Sequence, residues 1–559
     1  MDHLRPFPFA LFPREIQLRV LFYLEAPDIF RFREASKAFS ELASDMAVEY
    51  NVQLDIAGMV DNPSQGSPLI ERYEKLLQYQ EGWKKAVPSV DPNVPVRLVR
   101  DPDFGSYWEW TGGVFPYVVN PQSSQQTLHL YRPGSSVRGP EPKRWTLEAA
   151  QLPGGYRMLG CGVDKAQDLL VLSLAPLHYN PDSEEVCILQ LLSLQRAGVP
   201  HPEASHHLLY GRRLRADQPG IRPPQICEDT LACAIENDVW EVEVWNWKIG
   251  TLILRFRPSN TFFHGFALLS QSYILISEEE GPLKVYCIHR DLALDSGSRL
   301  QRQNDDAPDL VLKLMPFAAG IDCLTWLSHS PETTSADCIP PFKYDDDLTI
   351  LALFFDISFI GARQPRSRDF LLLVSVRGLI RILDRLCSSV DSASQPSSQA
   401  GRRCLEWDAW GPSSTRLVGF RHAVWNTMPP TSRTRCAVAI RGTARNDHHF
   451  DYILLLSVLP HATLGARTSD SESDRDGGDE EEAALAAQLI TYGDTITSPK
   501  VFRTPVRTTL PISVRCKKVP RGPDYAPNVE IGLFEDGLSL MYLYTADGAM
   551  RGDTFTFSV

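Results

Sequence analysis

From Pro13 onward, the apolar residues Ile16, Val20, Leu21 and Leu24 recur at three- and four-residue steps and lay one apolar face along a helix. Pro13 suits the first turn of that helix, where its missing N–H is not needed. Pro27 disfavours helical backbone at Ala26, so "EAPD" (Glu25 to Asp28) is expected to end the helix. Asp28 then caps a second short helix carrying Ile29 and Phe32. Ser36 offers a third start, with Phe39, Leu42 and Ala43 on one side. Short helices of this kind bury too little surface to stand alone, so the unit needs something to pack against.

Helical spacing returns in "SPLIERYEKLLQYQEGWKKAV", opened by the start pair Ser67-Pro68. Leu69, Ile70, Tyr73, Leu76, Leu77 and Trp83 follow at helical steps, and Glu71 and Lys75 form a favourable i, i+4 pair. The expectation is a stiff spacer, or equally a helix packed on the body that follows. From about Pro95 the pattern changes to short β-rich runs between loops rich in Gly, Pro, Ser and Asp. Examples are "FPYVVN", "DLLVLSLAP", "SYILISEEEGPLKVYCI" and "YILLLSVLP". Many strands at near-regular spacing predict an all-β sandwich, barrel or propeller.

One stretch favours the propeller. In "DTLACAIENDVWEVEVWNWKIGTLI" an apolar strand, a turn and a second strand end in Val244-Trp245-Asn246-Trp247, followed by Gly250. This resembles a WD-repeat blade, although Asn246 stands for the usual Asp and the Gly-His pair is absent. "LISEEEGPLKVYCI" and "LVSVRGLIRIL" repeat the form of strand, short turn and strand. Blades of about 40 to 45 residues, less the long insertions, give six to eight, with about seven the expectation. Pairing of the earliest β-run with a C-terminal strand is expected to close the ring. A sandwich-type body stays open at this level.

Composition narrows the class. The chain has 559 residues, too many for one ordinary core, and 43% hydrophobic with 22% charged residues is the balance of a globular protein. A net charge of −13 disfavours a broad phosphate-binding surface, so no nucleic-acid partner is expected. No apolar run reaches the roughly 18 to 20 residues that span a bilayer, and no leader pattern opens the chain. A cytoplasmic or nuclear protein without a membrane partner is therefore expected. The 11 cysteines are scattered and lack any C-x-x-C pair. Cys161, Cys187, Cys233 and Cys287 stand in apolar runs, where Cys behaves as a small hydrophobe. Neither a disulfide framework nor a zinc site is expected.

Catalytic patterns give nothing: no G-x-x-x-x-G-K-[ST], no G-x-S-x-G and no H-E-x-x-H. His206-His207 and His448-His449 are adjacent pairs, a spacing that does not aim two imidazoles at one metal. Asp345-Asp346-Asp347 reads as a turn, and "DSGS" (Asp295 to Ser298) only partly matches a phosphodegron. No catalytic residue, metal or cofactor is expected. The acidic window Asp470 to Glu482 predicts disorder. Within it Ser469, Ser471 and Ser473, each three residues before an acid, are candidate phosphorylation sites, where added charge would deepen self-repulsion.

The N-terminal pattern resembles the F-box. That family's Leu-Pro-x-Glu-Ile, Leu-x-x-x-Asp and Val-Ser/Cys-Lys/Arg-x-Phe stretches are matched in order by Phe12-Pro13-Arg14-Glu15-Ile16, Leu24-Glu25-Ala26-Pro27-Asp28 and Ala35-Ser36-Lys37-Ala38-Phe39. Phe12 stands for the first Leu, Ala35 for Val, and Glu49 and Tyr50 where a Leu-Trp pair would close the motif. More loosely, the chain is similar to fungal F-box proteins with β-rich C-terminal halves. The resemblance implies docking to the Skp adaptor of an SCF-type cullin–RING ubiquitin ligase, through Phe12, Pro13, Ile16, Leu21, Leu24 and Ile29. It implies a non-enzymatic substrate receptor holding an unknown target protein on its β body. A scaffold with this hook but no cullin, and a propeller-fold enzyme, are the rival classes. The chain thus divides into a small all-α F-box domain (1–60), a linker with a helix (61–92) and a large all-β, propeller-like domain (93–559). Insertions expected to be disordered lie near 388–403 and 465–488.

Overall fold

The computed structural model describes residues 9–63, 66–85, 110–119, 126–135, 137–148, 151–178, 186–196, 198–213, 220–237, 239–258, 263–278, 281–288, 302–303, 308–319, 321–329, 340–359, 368–388, 403–421, 429–440, 450–458, 486, 489–520, 528–534, 536–546 and 549–558. The candidate phosphorylation sites Ser469, Ser471 and Ser473, the His448-His449 pair and "DSGS" lie outside them.

The chain opens with helices α1 (Arg14–Leu21), α2 (Ala26–Ala35), α3 (Lys37–Ala43) and α4 (Met46–Ala57). Ser36 caps α3 by accepting the Phe39 N–H at 3.2 Å, as the sequence predicts, and Pro13 stands at the cap position of α1, just before the first turn. Ala26 does not break helical geometry. It is the first residue of α2, with Pro27 in the first turn, where a missing N–H is harmless. The Ala26 N–H donates at 2.8 Å to Asp55 Oδ2 of α4, which supplies the partner the helix start lacks. Leu21, Ala26, Ile29, Leu42, Ala43, Val48 and Val52 form the small core of this unit.

The body is a β-propeller. Its sheets are antiparallel meanders taken in chain order. The first comprises Phe115–Val119, Thr127–Arg132 and Lys143–Glu148. The second runs through Tyr156–Asp164, Leu169–Pro176, Val186–Ser193 and Leu208–Arg213. The third holds Ile221–Cys227, Thr230–Asn237, Val239–Asn246 and Thr251–Phe256. The fourth holds Phe263–Ser270, Tyr273–Glu278, Leu283–Cys287 and Leu310–Leu312. Arg302–Gln303 and Arg403–Leu405 add parallel strands to the outer edges of the third and fourth. The fifth is Ile321–Ser328, Ile350–Phe359, Arg368–Ser375 and Thr415–Phe420, edged by Ile490–Tyr492. The sixth is Thr431–Ser432, Arg435–Ile440, Phe450–Val458 and Ile512–Pro520. These six sheets are blades, and between each neighbouring pair lies a separate apolar core. The innermost strands of the second and third run so close that a side chain at Gly162 would collide with the Pro224 carbonyl.

Asn528–Phe534, Gly537–Ala546 and Ala549–Ser558 form a further three-stranded sheet, packed on the sixth. Among the described residues, ring closure does not use the expected strand pairing. The earliest and the last β-runs each keep to their own three-stranded sheet, and side chains bridge them. Trp110 stacks on Phe534 with ring centroids 4.9 Å apart, and buried Arg138 donates to Asp536 at 3.0 Å.

"VRGLIRIL" corrects a second expectation. It is not a strand but part of helix α6 (Val376–Ser388), which joins two strands of the fifth sheet. Leu379 and Leu383, four residues apart, are buried, whereas Arg377, Arg381 and Arg385 are exposed, a 3.6-residue period that no strand can satisfy. A short helix α7 (Trp407–Ser414) follows before the fifth sheet's fourth strand. The WD-like stretch is the heart of the third sheet. Trp247 is fully buried and donates to the Glu228 carbonyl at 2.8 Å, while Asn246 Oδ1 accepts the Ile249 N–H at 3.2 Å to hold the turn. Asp345 caps a 3-10 turn through the Asp347 N–H at 2.9 Å, in keeping with the turn reading of that acidic run.

Candidate protein-docking interface

Helix α1 is apolar on two sides. Leu21 turns inward and is sealed, and Leu18 packs beside it. Phe12, Ile16 and Val20, spaced by four, form an outward stripe with relative exposures of 38%, 43% and 41%. Leu11, Phe22 and Tyr23 extend the patch, Tyr23 being 80% exposed. Of the residues the sequence points to, Phe12, Pro13 and Ile16 are exposed, and Leu24 is half-buried against the unit's core. Leu21 and Ile29 lie inside that core, where they hold the helices together and present no free surface. Leu11, Phe22 and Tyr23 were not singled out from the sequence, and Val20 was placed on the apolar helix face but not among the docking residues, although the four-residue step from Phe12 through Ile16 reaches it directly.

The stripe is held in shape from beneath. Gln17 donates its side-chain amide to the carbonyls of Phe12 at 2.8 Å and Phe9 at 3.2 Å, which folds the segment before α1 back on the helix. Phe9 meets the edge of Phe32, and Phe32 stacks on Phe39 at 4.3 Å, joining α2 to α3. Arg33 of α2 ties α4 by donating to Glu49, and also to the Ala43 carbonyl at 2.9 Å. Exposed apolar side chains thus sit over a braced core.

A second assembly fastens the unit to the propeller. Gly58 ends α4 in the left-handed region at φ +65°, and Met59–Asp61 then pairs antiparallel with Phe342–Tyr344. Asn62 donates to the Pro340 carbonyl at 3.0 Å. Helix α5 (Leu69–Lys85) follows, with the Glu71–Lys75 ion pair formed at 2.9 Å. It buries Leu76, Tyr79 and Trp83 in a core shared with α4, the sixth sheet and the C-terminal sheet. At its centre the Arg435 guanidinium lies 3.9 Å from the Trp83 ring centroid and donates to the hydroxyls of Tyr344 and, at 3.3 Å, Tyr79. Burial pushes the Tyr344 hydroxyl well above its ordinary pKa, against the opposing pull of Arg435, so the phenol stays neutral. Lys517 caps the end of α5 by donating to the Lys84 carbonyl at 2.8 Å. The helix is thus a packed mount.

No family model matches the chain, and no curated protein matches it. Among solved structures, the chain is similar to the C-terminal WD40 domain of Sif2, at 10% identity and a TM-score of 0.34, covering 81% of this chain and 94% of that one. It is also similar to the WD40 domain of Toxoplasma gondii coronin, at 8% identity and a TM-score of 0.36, covering 83% and 85%. The propeller itself rests on the sheets, their order and the cores between them.

Proposed function

We propose that the chain is the substrate-recognition subunit of an SCF-type cullin–RING ubiquitin ligase, docking the Skp adaptor through its N-terminal helices. The observation that carries this reading is the exposure of Ile16 and Val20, four residues apart on α1, beside the buried core of the helical unit. The F-box-like order of residues around them supplies the partner's class. Covering such half-exposed side chains contributes about 1 kcal/mol each, and interfaces of this kind rest on a few central apolar anchors.

In this reading the propeller holds a target protein, and the chain itself makes no covalent bond. In the same reading the C-terminal sheet serves as a seventh blade, and the clustered loops of the propeller offer the target face. The mount matters because ubiquitin transfer depends on distance. A rigid receptor holds its target near the charged conjugating enzyme at high effective concentration. The assignment places the protein in the cytoplasm or nucleus.

Co-purification of the full chain with the adaptor and cullin tests the proposal. The wild type is expected to retain both, and a Phe12→Ala, Ile16→Ala variant to lose both with its melting temperature unchanged. A variant that keeps the adaptor, or a wild type that never binds it, overturns the reading. Adaptor without cullin, and without ubiquitin transfer, points to the scaffold class instead.

A further inference from the structure

On the fourth sheet, Tyr273 and Cys287 stand opposite each other across an antiparallel strand pair. Helix α6 crosses this pair near its C-terminal end. The Tyr273 hydroxyl donates to Asp384 Oδ1 at 2.9 Å. Cys387, three residues on and on the same helix face, brings its Sγ to 3.8 Å from Cys287 Sγ. Both sides of this contact are braced. The Cys287 N–H donates to Asp309 Oδ2 at 2.8 Å, and Leu379 and Leu383 anchor the helix in the core between the fourth and fifth sheets. Burial, then the Cys387 and Asp384 neighbours, push the Tyr273 hydroxyl far above its ordinary pKa, so it stays protonated and keeps donating.

The pair differs from the buried cysteines. Cys161, Cys187, Cys233 and Cys436 are buried, and burial pushes the Cys161 and Cys187 thiols up to about 12, which keeps them inert. Cys387 is exposed and Cys287 half-buried, so an oxidant reaches the first and the second stands ready behind it.

We infer that Cys287 and Cys387 form a thiol–disulfide site that cross-links the fourth sheet to helix α6 under oxidation by a small disulfide. A disulfide needs sulfurs about 2.05 Å apart, so the present gap closes by roughly 1.8 Å, within reach of side-chain rotation at an exposed helix end. The Cys387 thiolate attacks one sulfur of oxidised glutathione, breaking its S–S bond and releasing one glutathione thiolate. The Cys287 thiolate then attacks the Cys387 sulfur of the mixed disulfide, and the second glutathione thiolate leaves. Each glutathione takes up a proton the protein has lost. The protein gives up two electrons, and the oxidant's S–S bond accepts them. The new bond closes a loop of roughly 100 residues, which constrains the unfolded chain strongly.

The test uses the full-length chain, reduced and then exposed to oxidised glutathione, with remaining thiols alkylated and peptides mapped by mass. The expected product joins Cys287 to Cys387, vanishes in Cys287→Ser and Cys387→Ser, and persists in Cys404→Ser. Its formation is expected to raise the melting temperature by roughly 5 °C, reversibly with reductant and in neither of the first two variants. Recovery of both cysteines alkylated overturns the inference. So does Cys387 found only as a mixed disulfide with glutathione, or joined instead to Cys404.

Discussion

Helix α5 buries Leu76, Tyr79 and Trp83 against the propeller, whereas α1 buries Leu21 and leaves Ile16 and Val20 outside. Both are short amphipathic helices near the start of the chain, and both carry more apolar residues than one narrow face needs. The body covers one face of α5, down to an arginine laid on Trp83 and a lysine on the last turn, and leaves Ile70 and Leu77 exposed on the other. Among the described residues, the outer side of α1 keeps Ile16 and Val20 exposed. Ile16 and Val20 are exposed on a unit fixed to the body by a strand pair and a shared core, which is the contrast the proposed docking role rests on.

The comparison can be broken most forcefully at the mount. Trp83→Ala removes a buried aromatic and the ring beneath Arg435. It should cost about 3–5 kcal/mol, read from the denaturant midpoint, and should open the α5 segment to limited proteolysis. A loss under about 1 kcal/mol would mean that α5 is not part of the core. In the body, burial lowers the His329 pKa to about 4 from an ordinary 6.5. The unfolded chain therefore binds more protons between those values, and stability present above pH 6.5 is lost as pH falls through 4, by up to about 3 kcal/mol. His329→Gln should flatten that part of the pH profile, followed by thermal melts. Phe12→Ala and Ile16→Ala should each change stability by no more than about 0.5 kcal/mol, because exposed side chains have little packing to lose. Smallest of all, Glu71→Gln should cost about 0.3 kcal/mol, since it removes an exposed i, i+4 pair on α5 without touching the mount.

Much of this was legible in the sequence where the cause is local. Ser36 caps, Ser67-Pro68 opens α5, Glu71 meets Lys75, and Asn246 before Trp247 holds a blade turn. Helix α4 was not read, and its burial shows why. Val48 and Val52 face the helical unit while Tyr50 and Leu54 face the propeller, so apolar residues recur every second position and imitate a strand. Helix α6 was misread because its "LIRIL" core reads as a short, almost continuous apolar run, yet it packs with a helical step through Leu379 and Leu383. Partners far apart in the chain were invisible. Tyr344 and Arg435 meet Tyr79 and Trp83 of α5 only through folding, and the parallel edge strands Arg302–Gln303 and Arg403–Leu405 are recruited by neighbours rather than by propensity. At the docking face, the sequence marked the apolar positions of α1 and α2 without separating Ile16, which faces out, from Leu21 and Ile29, which face in.

Hydrogen–deuterium exchange on the full chain, with and without the Skp adaptor, addresses the outward stripe of α1 most directly. The account predicts slowed exchange across residues 11–24 on adding the adaptor, with the α5 segment unchanged because its inner face is already packed on the body. Unchanged exchange over α1, or protection confined to the propeller, would contradict it.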